Sequence, residues 1–593
     1  MKYADLVAVY EEIEGTSKRL EKTAIIAAFL KKTSVSDLDK VVLLLQGKVA
    51  PLWDEAKLGV AARIVIKAIA LTIGTTPVKV ESEWKHTGDL GLAVEKLMEK
   101  RTQATLFSQE LSVQKVFENL KKLSTLEGQG TVDQKVKLMS ELLTSAKAKE
   151  AKYIIRTVLE DLRVGIAQGT LRDAIVWAFL YEVNLSEKNI IEDRKDYKEV
   201  VDAVQDAYSS SNDFTVVARA AKEGLPAIQR IGLDLGRPVQ VMLAQKEITI
   251  ANAFKRVGKP AALEYKYDGF RMVIHKGGGG HKGSDGKERP DGKGNIRIYT
   301  RRLENVTAQF PEVVNYVREN VKGESFILDG EAVGFDAKSH RYLPFQSISQ
   351  RIRRKYGILE VAKKFPVELN VFDLLLYNGK TLIKAAFRKR REILEKVITE
   401  KPKKIVLSRQ IITDDENKAK AFFTDAIAKG NEGIMFKNLD APYKPGSRVG
   451  YMVKFKSAME TLDLVVVGAE WGEGKRKGWL TSFTLACKDG DEWKEIGKVG
   501  TGIKELEEQG LSFKELTETL KPLILVEKGR EVKIRPKVIL EIKFEEIQKS
   551  PSYGSGYALR FPRVIRERTM EKGLDDVSDI DLVRKLFEEQ KKV

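Results

Sequence analysis

The sequence predicts a multidomain chain in three parts: an all-α domain over residues 1–236, an α+β domain over 237–457, and an all-β domain over 458–593 that ends in a helix. Three observations predict this. The chain has 593 residues, which domains of roughly 150 residues would divide into about three or four. The apolar spacing is helical through the first third and strand-like beyond residue 245. From residue 462 onward the strand-like runs lie close together with Gly-rich turns between them.

The helical part is read from positions such as Val113, Val116, Phe117 and Leu120, whose i, i+3, i+4, i+7 spacing lines one buried face. Helical patterns also run over 17–32 and 135–150, and Pro is confined to Pro51, Pro77 and Pro226. Residues 232–245, GLDLGRPVQVMLAQ, break the pattern with Gly and Pro and read as a linker. Beyond it, 261–275, 296–300, 325–335, 367–377 and 462–470 are short β-branched and aromatic runs suited to strands. Helical patterns at 385–399 and 416–429 lie between them. The runs DLVVVGAEWG and WLTSFTLACKDG suggest a small barrel of the oligonucleotide-binding kind. Leu582, Val583, Leu586 and Phe587 mark a closing amphipathic helix. Residues 276–295, KGGGGHKGSDGKERPDGKGN, read as a flexible loop.

Composition excludes several classes. Lys+Arg number 103 against 85 Asp+Glu, a net charge of +18. That surplus suits a polyanionic partner, nucleic acid before membrane, and it equally suits a solvated Lys-rich surface. Charged residues at 32% with a single Cys fit a protein from a hot environment. Cys487 stands alone, so an intrachain disulfide and a Cys-rich zinc site are both excluded. No apolar run approaches the length of a membrane span, and the N-terminus MKYADLVAVYEEIEG carries acids where a signal peptide needs an apolar stretch. The expectation is a soluble cytoplasmic protein of a reducing compartment.

No phosphate-binding loop is present. Gly379-Lys380-Thr381 has Leu374 where the leading Gly must stand, and Gly500-Thr501-Gly502 is a lone GxG. The segment ALEYKYDGFR, 262–271, is more informative. On a strand, Leu263, Tyr265 and Tyr267 point one way and Glu264, Lys266 and Asp268 the other, with Gly269 at a turn. An exposed strand of alternating charge has the same pattern. ILDGEAV puts Asp329 and Glu331 on one strand face, NVFDLLLYNG sets Phe372 in an apolar strand, and EGIMFK opens with Glu432. YMVKFK aligns Lys454 and Lys456, whose mutual repulsion a shared anion would relieve. RFPRVIRER, 560–568, crowds Arg560, Arg563, Arg566 and Arg568, with Arg530 or Arg535 as neighbours.

These segments, in this order, closely resemble the nucleotidyltransferase motifs of ATP-dependent DNA ligases, and the resemblance covers nearly the whole chain. KYDG resembles the family's KxDG element, YTRRLENVT its second motif and LDGEAV its third. GDLG at 88–91 and RTVLEDLRVGIAQG at 156–169 are similar to the DNA-binding domain of archaeal and eukaryotic replicative ligases. The family's NAD⁺-using counterparts carry a four-Cys zinc finger, which one Cys forbids. An mRNA capping enzyme would share the middle and barrel domains but leaves the helical region unexplained.

The resemblance implies an archaeal, thermophilic, monomeric enzyme that uses ATP and Mg²⁺, or Mn²⁺, to seal nicks in duplex DNA during replication, repair and recombination. It implies a DNA-binding domain over 1–236, an adenylation domain over 237–457 and an OB-fold domain over 458–593, in a nucleoid-associated protein whose domains encircle the duplex. Lys266 would become Lys-AMP. Phe372 would stack on adenine and Glu264 would read its edge. Arg271, Arg301 and Glu331 would hold ribose and phosphate. Arg448 and Lys454 would complete the nucleotide pocket, with Lys456 beside them. Glu331 and Glu432 are the candidate metal ligands, and the arginines of 560–568 would orient pyrophosphate. The turn at 276–295 is roughly 15 residues longer than the family's usual one, as a projecting loop tolerates. Gln103, Leu106 and Phe107 in RTQATLFSQ resemble a sliding-clamp-binding segment, and a helical core would use the last two equally well.

Overall fold

Tyr3, Leu6, Tyr10 and Ile13 recur every three or four residues, and in the computed structural model they line the inner face of a helix Tyr3–Glu14 with no exposure to solvent. The structure describes residues 1–54, 58–100, 110–126, 130–183, 194–277, 295–336, 338, 342–343, 348, 351–352, 354, 356–446, 449–456, 461–505 and 511–592. Gln103, Leu106, Phe107, Arg448 and most of the Gly-rich segment 276–295 lie outside them. The chain divides into one unit of residues 1–423 and 431–455 and a second of 424–430 and 456–593.

The first part is helical throughout, as the spacing predicts. The expected face of Val113, Val116, Phe117 and Leu120 is buried on the helix Val113–Thr125. The helix expected over 135–150 is instead two, Thr131–Ser145 and Ala148–Val158. Ala146 and Lys147 are extended between them, and the Glu150 carboxylate reaches back to accept from the Lys147 N–H at 2.7 Å, capping the second helix. No Gly or Pro announces that break.

The two helical signatures meet. Asp89 of GDLG caps the helix Leu90–Glu99, its Oδ1 accepting from Gly91 N at 2.7 Å. Its Oδ2 accepts from Arg156 Nε at 3.0 Å and Nη2 at 2.8 Å. Arg156 also donates to Glu14 at 3.0 Å, and the Tyr153 hydroxyl lies 2.6 Å from Glu11 and 2.7 Å from Glu14. Burial pushes the carboxyls of Glu11 and Glu14 up, but donors outweigh it, Lys149, Lys152 and Tyr153 at Glu11 and Arg156, Tyr153 and Lys152 at Glu14, and hold both at about 2. One charged cluster therefore ties three helices distant in sequence.

The stretch expected as a linker, 232–245, is packed over its second half. Val239, Val241 and Met242 are buried against Val273, Ile327 and Leu375, because the apolar residues that follow its Gly and Pro breaks fill the face of the next sheet. The central strands are β1 (Gln245–Glu247), β2 (Ala261–Lys266), β3 (Phe270–Lys276), β4 (Ile296–Thr300), β5 (Phe326–Gly334), β6 (Val367–Tyr377), β7 (Lys380–Thr381), β8 (Ile405–Leu407), β9 (Gln410–Thr413), β10 (Gly433–Asn438) and β11 (Met452–Lys456). The single run expected over 261–275 is thus two strands. Tyr267 to Gly269 turn between them and carry the chain from one sheet to another, since β2 belongs to the sheet β1-β11-β10-β2-β9 and β3 to β4-β3-β5-β6-β7. Helices Phe387–Val397 and Glu416–Ala428 lie where the periodicity predicts them.

The second unit is built on β12 (Thr461–Trp471), β13 (Leu480–Asp489), β14 (Glu492–Val499), β15 (Ile524–Lys528), β16 (Glu531–Ile534), β17 (Ile539–Lys543), β18 (Glu546–Lys549), β19 (Tyr557–Arg560) and β20 (Arg563–Glu567). β12 is long enough to pair with β17 through Thr461–Val465 and with β16 through Gly468–Glu470, while β13 covers its other edge. The closing helix Ile580–Lys592 buries Val583 and Leu586, but Leu582 is exposed, since its neighbouring position turns it about 100° off that face. Among the described residues no helix is long and apolar enough to cross a membrane.

Candidate active site

Lys266 ends β2, an interior strand whose Ala261–Tyr265 are buried, so the exposed-strand alternative fails. The lysine itself is half-buried. Its ammonium donates to Glu432 Oε2 at 2.6 Å, and the Glu432 N–H donates to the Lys266 carbonyl at 2.9 Å. β10 delivers that contact: it runs antiparallel to β2 with Gly433 opposite Lys266.

The turn at Gly269 presses against β5. A Cβ on Gly269 would lie 2.5 Å from the Ala332 carbonyl oxygen and 2.9 Å from Glu331 Cγ. β5 in turn leans on β6, and a Cβ on Gly330 would lie 2.9 Å from the Asn370 carbonyl oxygen. The first approach sets Glu331 beside the turn that follows Lys266, and the second seats β5 on β6, the strand that carries Phe372. Burial pushes the Glu331 carboxyl up to about 8; Lys266 and Arg271 pull against that rise, and Glu432 and Asp329 add to it.

Arg271 sits opposite Glu331 on β3 but pairs diagonally with Asp329. Its Nε and Nη2 donate to the two Asp329 oxygens at 2.9 and 2.6 Å, and its Nη1 to the Met242 carbonyl at 3.1 Å. The Tyr443 hydroxyl donates to Asp329 Oδ2 at 2.7 Å and accepts from Met242 N at 2.9 Å. The Arg271 guanidinium also lies 5.3 Å from the centroid of the half-buried Phe372 ring. Next to Phe372, Asp373 turns inward to Arg390 at 2.7 Å.

Glu264 is buried with both oxygens engaged. Oε1 accepts from Gln410 Nε2 at 2.8 Å, and Oε2 lies 2.6 Å from the Lys437 ammonium. Lys454 is half-buried on β11, in register with Lys246. Lys456 belongs to the second unit and lies 3.6 Å from the Glu545 carboxylate. Arg301 is exposed in the turn after β4, an edge strand. In the second unit Arg560 pairs with Glu546 at 3.0 Å, Arg566 with Glu541 at 2.9 Å, and Arg568 with Asp463 at 3.4 Å, while Arg563 is exposed. Arg530 is engaged elsewhere, with the Trp471 carbonyl at 2.9 Å.

Sequence reasoning missed Lys437, Tyr443 and the anchoring part of Asp329. Asp329 carried a signal, an acid inside an apolar strand two residues from Glu331. Tyr443 carried none. Glu331 and Glu432 offer hard oxygen donors fitting a hard divalent cation. Among the described residues no three acidic, His or Cys side chains form a cluster for a metal, so a cation here would take its remaining ligands from substrate oxygens and water.

Comparison with known proteins gives this arrangement a family. Residues 2–176 match the family model described as DNA ligase N terminus, 241–456 the ATP dependent DNA ligase domain, and 476–571 the ATP dependent DNA ligase C terminal region. The DNA ligase of Nanoarchaeum equitans is 45% identical over 596 residues, covering 100% of this chain and 99% of the relative. That of Thermococcus onnurineus is 39% identical over 595 residues, covering 100% and 99%. The solved structure titled Pmar-Lig_PreS3 shares the fold, with a TM-score of 0.58 at 17% identity, covering 95% of this chain and 99% of that one. The chain belongs to the ATP-dependent DNA ligase family. It is an enzyme of the class that uses ATP and a divalent metal and acts on nicked DNA.

Proposed function

We propose that Lys266 is the nucleophile. Its nitrogen forms a bond to the α-phosphorus of ATP, the bond from that phosphorus to the bridging oxygen breaks, pyrophosphate leaves with that oxygen, and the ammonium gives up two protons while the phosphoramidate keeps one. The carrying observation is the 2.6 Å contact between Lys266 Nζ and Glu432, which supports Glu432 as the group that first takes a proton. AMP then passes to the 5′-phosphate at a nick, and attack by the 3′-hydroxyl closes the strand and releases AMP.

Phe372 stacks on adenine and Glu264 meets its edge. Arg271 and Arg301 hold ribose and phosphate. Arg271's fixed geometry, with two bonds to Asp329, supports a preorganised contact. Glu331 and Glu432 hold Mg²⁺, which Mn²⁺ can replace. When bound, the metal neutralises charge on the phosphates. Arg448, Lys454 and Lys456 complete the nucleotide pocket, and the arginines of 560–568 orient pyrophosphate. Residues 1–236 grip the duplex, 237–457 carry the chemistry and 458–593 form the OB-fold domain. The protein works as a monomer in the cytoplasm, associated with the nucleoid, and engages a sliding clamp through Gln103, Leu106 and Phe107.

The test is covalent labelling. Lys266→Ala should acquire no label from [α-³²P]ATP with Mg²⁺, yet should still seal a nick whose 5′ end is already adenylated, at reduced rate. Label on the Lys266→Ala protein would refute the assignment.

A further inference from the structure

We propose that Lys437 is a positioning residue that sets which purine the pocket accepts, by holding Glu264 so that it offers the base only acceptors. The inference rests on the reading above that Glu264 meets the base edge and Phe372 the base face.

Lys437 stands opposite Ala262, two residues along β2 from Glu264, so both side chains lie on one face of the sheet. Its ammonium is 2.6 Å from Glu264 Oε2, 4.7 Å from the centroid of the Phe372 ring and 4.6 Å from that of Phe387. Lys437 is 5% exposed and Glu264 1% exposed. A lysine so buried is held by what surrounds it, here one carboxylate and two aromatic rings. One cation therefore touches both groups that would recognise the base.

The other donors complete the constraint. Gln410 Nε2 donates to Glu264 Oε1 at 2.8 Å, and Arg391 Nη1 lies 3.7 Å from the same oxygen. Lys437 Nζ makes an ion pair with one oxygen without hydrogen-bond geometry, and Gln410 donates to the other, so the carboxylate turns only lone pairs toward a ligand. Adenine presents a 6-amino donor there, which such a carboxylate accepts. Guanine presents a 6-oxo acceptor, which it repels. Without the ammonium, the buried carboxylate loses its nearest cation. Released from it, Oε2 is no longer held in place, the carboxylate can swing off the base edge, and the repulsion that excludes a 6-oxo group goes with it. Lys437 thus keeps the pocket from accepting guanine.

The experiment uses the full-length protein with Mg²⁺ and measures covalent labelling from [α-³²P]ATP and [α-³²P]GTP over a range of concentrations. Lys437→Met should lower the ATP:GTP ratio of kcat/KM by roughly tenfold or more, the worth of the charge-assisted hydrogen bond that a well-placed Glu264 accepts from the base, with the ATP loss falling mainly on KM. Lys437→Arg should keep the ratio near the parent's. Glu264→Gln, whose amide both donates and accepts, should lower it. If Lys437→Met keeps the parent ratio while Glu264→Gln lowers it, Lys437 is not the positioning residue. If Glu264→Gln leaves the ratio unmoved, Glu264 does not read the base and the underlying reading fails. Should Lys437→Met lose its fold by circular dichroism, Lys437→Gln enters the same comparison.

Discussion

Gly269 offers a sharp test of how the backbone places Lys266. Replacing it with Ala puts a Cβ 2.5 Å from the Ala332 carbonyl oxygen and 2.9 Å from Glu331 Cγ. Ordinary contact begins near 3.4 Å, so the turn must retreat from β5 by about 0.9 Å, 3.4 less 2.5. The obstacle is strand backbone, which β3 and β6 hold on both sides, so the turn carries the whole displacement. Overpacking of this kind costs about 1–3 kcal/mol, which a chain with cores this large survives. The effect on chemistry is larger, because a misplacement of about 1 Å costs on the order of 10²-fold in rate. We expect Gly269→Ala to fold, to label from [α-³²P]ATP about a hundredfold more slowly in single turnover, and to seal a pre-adenylated nick with a smaller loss. A labelling rate within about threefold of the parent would refute the idea that this approach governs the lysine's position.

Tyr443→Phe removes the hydroxyl that donates to Asp329 and accepts from Met242 N, leaving that buried N–H unpaired. It should lower stability by about 1–3 kcal/mol in denaturant titrations and weaken ATP binding through a looser Arg271. Glu11 and Glu14 are held at about 2 against an ordinary 4.5, so their contribution to stability is present above pH 4.5 and lost as the pH falls toward 2. The double variant Glu11→Gln/Glu14→Gln should therefore show a shallower fall of Tm with pH across that window, and an unchanged slope would contradict the assignment. Affinity of the full chain for nicked duplex should drop steeply with salt, as expected for backbone contacts from a protein of charge +18; a flat response between low and moderate salt would argue for base readout.

Much of the architecture was legible where pattern and punctuation agree. The strands at Ile296–Thr300 and Val367–Tyr377 match the reading residue for residue, because apolar, β-branched and aromatic residues dominate them and Asn295, Pro366 and Asn378 mark three of their four ends. The break between Ser145 and Ala148 was not legible, since Ala146 and Lys147 suit a helix and only the reach of Glu150 marks the restart. The turn after Lys266 was half legible. Gly269 signals it, but Tyr267 and Asp268 continue the alternation of a strand. In the site, the Lys266–Glu432 contact joins residues 166 apart in sequence, so it depends on strand pairing that no local pattern reports. Lys437 and Tyr443 sit in segments of ordinary composition, and only their placement against Glu264 and Asp329 gives them meaning.

The signature residues divide into two physical duties. Lys266, Glu331 and Glu432 supply charge and donors. Gly269 and Gly330 supply the lack of a side chain. The second duty is a condition for the first. Without the gap at Gly330, β5 would stand off from the Asn370 carbonyl and take Glu331 with it; without the gap at Gly269, the turn would stand off from Ala332 and take Lys266 with it. Each glycine therefore controls one side of the distance between the lysine and Glu331. A Gly330→Ala variant should resemble Gly269→Ala, and because both alter the one separation of Lys266 from Glu331, their effects on labelling should be non-additive in a double-mutant cycle. Strict additivity would mean that the two approaches act on separate steps, and the shared-distance argument would fall.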